Sequence, residues 1–205
     1  MIRLEQVGKS FDGQPVLTDV DLNIPQGCLY GLIGPGAAGK SVLLKMVAGL
    51  VLPDAGRVTV NGTDLASLNE IDLQGFRAGI GMLFQNNALF DYLSVGENIA
   101  FPLRRNTRLD EVEITKRVAD RLRRVSLPGF ESRSCSGLSG GQKKRVGVAR
   151  ATIDQAKIVL YDEPAAGLDP VTAQRIFEML YEEQRQSQST AVMVSSDLPR
   201  LLSVT

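Results

Sequence analysis

The most chemically specific stretch of the sequence is Gly34-Pro35-Gly36-Ala37-Ala38-Gly39-Lys40-Ser41. It fits G-x-x-x-x-G-K-[ST], a loop whose backbone N–H groups converge on one point. A helix leaves the loop through Val42, and its positive N-terminal end adds to the same point, which suits a string of phosphates. Lys40 reaches the outer phosphates as a point charge, and the Ser41 hydroxyl is a ligand for Mg²⁺. Further on, Asp162 and Glu163 close the apolar run Ile158-Val159-Leu160-Tyr161. Adjacent carboxylates at the end of a buried strand can divide two jobs, one holding Mg²⁺ and one orienting water for attack. Taken alone, the pair also fits a strand leaving for solvent; the phosphate loop in the same chain selects the first reading. Leu138-Ser139-Gly140-Gly141-Gln142 is weaker by itself, because Ser-Gly-Gly occurs in many linkers. Ser139 is nonetheless a natural helix cap, and two glycines let a ligand approach the backbone.

These groups need elements to hold them. Cys28–Ile33 predicts a buried strand entering the loop, and Val42–Leu50 a helix leaving it. Ile2 and Leu4 alternate with Arg3 and Glu5, and Val20, Leu22 and Ile24 with Asp19, Asp21 and Asn23, as in half-buried strands. Asp12-Gly13 signals a turn, and Phe11 lies in that first loop, either as an ordinary packed aromatic or as a stacking face for adenine. Arg57–Val60 runs into Asn61-Gly62, a hairpin signal. Ser94-Val95-Gly96-Glu97 is a capping box opening a short helix that Pro102 ends. Thr107 and Asp110 offer the next start. Ile114, Val118, Leu122 and Val125 then recur at helical spacing, with Arg117, Arg121, Arg123 and Arg124 outside the stripe. Ser139 opens a helix through Arg150, and Asp169-Pro170 opens one to about Gln186. Thr190–Val194 is a last apolar strand, followed by Ser195-Ser196-Asp197. The expected fold is α/β, a mixed sheet with antiparallel N-terminal strands and a helical subdomain inserted over about 88–138.

A chain of 205 residues can bury a core as one domain. Lysines plus arginines and aspartates plus glutamates both number 23, so net charge gives no sign of a nucleic-acid partner. Arg104–Arg150 holds thirteen basic residues against five acidic ones. Helices with solvated faces explain this, as does a surface turned toward an anionic partner or lipid headgroups. Two cysteines, Cys28 and Cys135, are too few for a disulfide framework and suit a reducing compartment. No signal peptide is expected, and no apolar run approaches the ~18–20 residues that span a bilayer. There is no histidine, which excludes histidine acid–base chemistry and histidine metal ligation.

The order and spacing of these motifs resemble the ATP-binding subunit of an ABC transporter over essentially the whole chain. Gly34–Ser41 matches the Walker A loop, Gln85 the Q-loop, and Leu138–Gln142 the family's Leu-Ser-Gly-Gly-Gln signature. Ile158–Glu163 matches Walker B with its catalytic glutamate, and Gly167-Leu168-Asp169 the D-loop. The intact signature separates this family from other phosphate-loop NTPases. At finer grain, Leu83–Phe90 and Ser94–Leu103 look like the Mla-type, MCE-associated phospholipid transporters. Three departures stand out. Ala37 replaces a common glycine, and alanine is expected to fit with little effect. Ser196 stands where the family has its switch histidine. Members also usually continue with a strand pair and helices beyond the point corresponding to Thr205.

The resemblance implies one ABC ATP-binding domain over 1–205 that binds ATP and Mg²⁺ and forms a head-to-tail dimer. Each ATP would lie between one subunit's Gly34–Val42 and the other's Ser139, Gly140, Gly141 and Gln142, with Asp169 nearby. Glu163 would orient water, helped by Ser196, while Ser41, Gln85 and Asp162 hold Mg²⁺ and sense the γ-phosphate. Membrane-spanning permease subunits would dock near Gln85 and the helical subdomain, placing the chain peripherally on the cytoplasmic face of the inner membrane. The rival readings are a nucleotide-gated clamp with weak or no hydrolysis and the ATPase subunit of another ABC importer, since basic amino-acid and other importers share parts of the 83–103 region. Ribosomal and DNA-repair relatives carry tandem cassettes or long coiled coils, and neither pattern occurs here.

Overall fold

Strict alternation at the N-terminus builds a sheet of its own. β1 (Ile2–Phe11) and β2 (Gln14–Ile24) pair antiparallel, with Ile2 opposite Ile24 and Phe11 opposite Gln14. The two residues between them, Asp12 and Gly13, have φ of 49° and 77°, the left-handed pair that a tight hairpin needs. Phe11 therefore ends a strand, and the expected loop around it is only a two-residue turn. The computed structural model describes residues 1–196; Asp197, expected after the switch position, lies outside the described residues.

β3 (Leu29–Ile33) leaves this sheet, whereas β4 (Ala55–Val60) and β5 (Thr63–Asp64) return to it, giving the order β2-β1-β4-β5. β3 instead joins a parallel sheet with β6 (Ile80–Leu83), β7 (Ile158–Asp162) and β8 (Thr190–Ser195), in the order β3-β8-β7-β6. The antiparallel and parallel strands thus form two sheets. β3 is only partly covered, with Ile33 39% exposed, because it stands at the sheet edge rather than in the buried middle that its composition suggests.

Both faces of β7 and β8 are buried, which is why these strands read as unbroken apolar runs. Ile158, Leu160, Val192 and Val194 face a core shared with the antiparallel sheet and α1 (Lys40–Val47). Val159, Tyr161, Ala191 and Met193 face a second core. Its other wall comes from α3 (Val95–Asn106), α4 (Glu111–Arg124), α5 (Gly140–Thr152) and α6 (Pro170–Ser187), through Ile99, Leu122, Val148 and Phe177. α2 (Glu70–Ala78) precedes β6.

Two local expectations are corrected. Pro102 does not end α3, which runs to Asn106. The ring removes one backbone bond, but fully buried Leu103 anchors the last turn, and its carbonyl accepts both the N–H (2.9 Å) and the hydroxyl (2.7 Å) of Thr107. Arg121 does not lie on a solvated face. It is 7% exposed, and its guanidinium donates to Glu183 (2.5 Å) and to the Thr152 carbonyl (2.8 Å), tying α4 to α5 and α6.

Candidate nucleotide site

The loop following β3 closes around its own lysine. Lys40 Nζ donates to the carbonyls of Gly34 (2.8 Å) and Pro35 (2.7 Å), while Pro35, Gly36, Ala37 and Ala38 are exposed. Gly39 caps α1 with φ 78°. A Cβ there would meet Leu17 Cδ2 at 2.7 Å, so the loop packs directly on the hairpin that ends in Phe11. Phe11 is 45% exposed, with the Lys9 ammonium 5.5 Å from its ring centre. Ala37 departs from expectation: its φ is 61°. In this left-handed region a Cβ costs roughly 1–2 kcal/mol, so the methyl group strains the loop rather than fitting it freely.

Residues far apart in sequence meet beside the loop. Ser41 Oγ donates to Asp162 Oδ1 at 2.7 Å, with Asp162 buried at the end of β7. Glu163 follows with φ 46°; its N–H donates to Val194 O at 3.0 Å. Ser196, just past β8, donates from Oγ to Glu163 Oε2 at 3.3 Å. A hydroxyl and a carboxylate in contact are hard oxygen donors of the kind Mg²⁺ accepts, with phosphate oxygens and waters completing its shell. Among the described residues no group of three or more His, Cys, Asp and Glu could hold a metal unaided. The donor set suits Mg²⁺.

Gln85 lies exposed on the turn after β6, and its carbonyl accepts from Lys144. Ser139–Gln142 open α5 as a reciprocal capping box: Ser139 N donates to Gln142 Oε1 (2.9 Å), and Gln142 N to Ser139 Oγ (3.3 Å). No hydrogen bond among the described residues joins this motif to the 34–41 loop. It packs instead on the start of α6, where a Cβ at Gly141 would meet Thr172 Cγ2 at 2.8 Å. Asp169 caps α6, accepting from the N–H groups of Val171 (3.1 Å) and Thr172 (3.0 Å). Hydrogen bonding by Thr172 holds its carboxyl below the ordinary value. One chain thus gathers the phosphate loop, Asp162, Glu163 and Ser196, and presents the Ser-Gly-Gly helix start elsewhere.

Residues 17–166 match the family described as ABC transporter. The chain belongs to this family. The ABC cassette fold is shared with the dimeric structure of a post-hydrolysis state of the ATP-binding cassette MJ0796 bound to ADP and Pi. That likeness has a TM-score of 0.91 and 30% identity, covering 98% of this chain and 90% of that one. A probable ribonucleotide transport ATP-binding protein of Mycobacterium leprae is 37% identical over 197 residues, 96% of this chain and 57% of that protein. The chloroplastic protein trigalactosyldiacylglycerol 3 of Arabidopsis thaliana is 40% identical over 213 residues, 100% of this chain and 61% of that protein. The chain thus spans about 57–61% of the length of these curated relatives.

Around this ABC site the structure adds two cations that motif reading passes over. Lys144 is 3% exposed. Its ammonium donates to the carbonyls of Gln85 (2.5 Å) and Glu163 (3.2 Å). Burial pulls its pKa down, against the pull of Asp162 and Glu163. Arg150 donates to the carbonyls of Asn87 (2.6 Å) and Ala88 (2.8 Å). The available signal was position: Lys144 shares a helix stripe with buried Val148 and Ala151, where a solvated lysine has no place. Beside the Q-loop lies a groove of about 650 Å³ whose lining includes Leu50, Met82, Phe84, Phe90 and Phe101. No helix among the described residues is long and apolar enough to cross a membrane.

Proposed function

We propose that this chain is the ATP-hydrolysing subunit of an ABC transporter and energises phospholipid transport across a cell envelope. The observation that carries the ATPase reading is the contact between Ser41 Oγ and Asp162 Oδ1, 2.7 Å apart, with Glu163 next in sequence. In this reading residues 1–205 are one ABC ATP-binding domain with a helical part over about 88–138. Lys40 and the N–H groups of Gly34–Val42 hold the phosphates, and Phe11 stacks on adenine. Ser41, Asp162 and Gln85 would hold Mg²⁺, which would neutralise phosphate charge. Glu163 orients water and accepts its proton. Ser139–Gln142 of a second ATP-binding subunit, related head to tail, contact the γ-phosphate across the interface, with Asp169 beside it. The apolar groove next to Gln85 receives a segment of a membrane-spanning permease subunit, so the chain works peripherally at the cytoplasmic face of the inner membrane. The lipid assignment draws on the stretches 83–90 and 94–103 and on a relative whose name carries a galactolipid.

The test is one set of titrations and turnover assays. Lys40→Ala should lose tight Mg-ATP binding, and Glu163→Gln should bind yet turn over about 10²-fold or more slowly. Unchanged binding in the first, or parental turnover in the second, removes the assignment. Purification from native membranes in detergent with lipid analysis tests the cargo; co-purification with a permease specific for another solute class overturns it. One observation favours a second reading, an ATP-gated clamp with slow hydrolysis: Glu163 is met by the neutral hydroxyl of Ser196 where the family has histidine. Normal ATP affinity with little turnover would select the clamp.

A further inference from the structure

Lys144 is the most enclosed cation in the described part of the molecule that the ATPase reading leaves without a role. A buried ammonium is costly unless it is well paired, and this one spends its donors on two main-chain carbonyls. One belongs to Gln85 and the other to Glu163. Glu163 is thereby pinned on both sides: its N–H bonds Val194 O, and its carbonyl bonds Lys144. The residue adopts φ 46°, a conformation that persists only where its surroundings impose it. Farther along α5, Arg150 grips the carbonyls of Asn87 and Ala88, whose φ values of 61° and 47° are also left-handed. The same helix therefore holds the Q-loop turn at three carbonyls, those of Gln85, Asn87 and Ala88, and the Glu163 backbone at one, while its N-terminus carries Ser139–Gln142.

We infer that Lys144 is a positioning residue that ties the signature helix to Gln85 and Glu163 of its own chain. This rests on the ATPase reading above. A nucleotide engaged by the N-terminus of α5 across the dimer then shifts the water-orienting residue of the opposite site, so the two sites feel each other's occupancy. Lys144→Met keeps the apolar stem and removes every donor. Steady-state turnover of the purified chain should fall about 10–100-fold, the penalty for a displaced reacting group, with KM nearly unchanged. The Hill coefficient should drop toward 1. Lys144→Gln, whose shorter amide reaches one carbonyl at a time, should fall between parent and Met. Titration with a fluorescent ATP analogue reads the same cooperativity without turnover. Parental turnover and cooperativity in Lys144→Met overturn the tie alone, as does a rise in KM that accounts for the whole loss. If Lys144→Met does not fold, Lys144→Gln decides: reduced turnover at unchanged KM supports the tie, and parental behaviour overturns it. A parent that binds no Mg-ATP overturns the tie and the ATPase reading together.

Discussion

At the scale of single residues, Ser196 and Ala37, two departures from the family pattern proposed from the sequence, act in different ways. Ser196 can donate one hydrogen bond to Glu163 Oε2, but it is shorter than histidine and uncharged. Losing one well-placed transition-state contact costs about 10²–10³ in rate, whereas in the proposed site ground-state binding rests on Lys40, Ser41 and the loop. Ser196→His should therefore raise turnover markedly at nearly constant ATP affinity; a variant no faster than the parent shows that another group has taken over the role. Ala37 works through the backbone. At φ 61° its Cβ is a liability that glycine lacks, although glycine also gains unfolded-state freedom. The strain is present without nucleotide, so Ala37→Gly should leave Mg-ATP affinity nearly unchanged, and the roughly 1 kcal/mol relieved in the fold is offset by the freedom glycine adds to the unfolded chain. Calorimetric titration and a melting curve check this, and a several-fold change in affinity refutes it.

At the scale of elements, the tightest constraint is the contact between β6 and α5. A Cβ on Gly81 would lie 1.9 Å from the Ala151 carbonyl oxygen, and a backbone atom cannot swing aside as a side chain does. Gly81→Ala should push strand from helix and cost about 3 kcal/mol or more by the overpacking penalty, read as a lowered denaturation midpoint. A neutral Gly81→Ala would mean that the elements sit farther apart. Legibility followed locality. Contiguous motifs such as Gly34–Ser41, and caps such as Ser94 and Asp169, could be read directly because their partners lie within a few residues. Lys144 and Arg121 could not, because charge suggested solvent and the groups that hold them, the carbonyls of Gln85, Glu163 and Thr152 and the Glu183 carboxylate, lie far off in sequence or on other elements. Pro102 misled for a related reason: propensity ends a helix there, and the tertiary anchoring of Leu103 overrides it.

At the scale of the whole molecule, two cores lie on opposite faces of one parallel sheet, and a thiol reports on one of them. Cys135 is 1% exposed in the helical core, and burial pushes its pKa up. Cys28 is only partly covered. In native protein an alkylating reagent should modify Cys28 first and reach Cys135 only on unfolding; equal rates at both cysteines would show that the helical core opens on its own. The parallel sheet carries a further consequence. Among the described residues the strand that feeds the phosphate loop, β3, pairs with β8 alone, Leu29 opposite Ala191 and Ile33 opposite Ser195. During synthesis the loop emerges early, but the strand it hangs from gains its partner only after nearly the whole described chain has been made. At ribosomal rates of about 5–20 residues per second, that interval is roughly 10–30 s. The antiparallel hairpin at the N-terminus can form within it, but the nucleotide pocket cannot. The phosphate loop therefore gains the sheet support of its own strand late, once β8 is available to stand between β3 and β7.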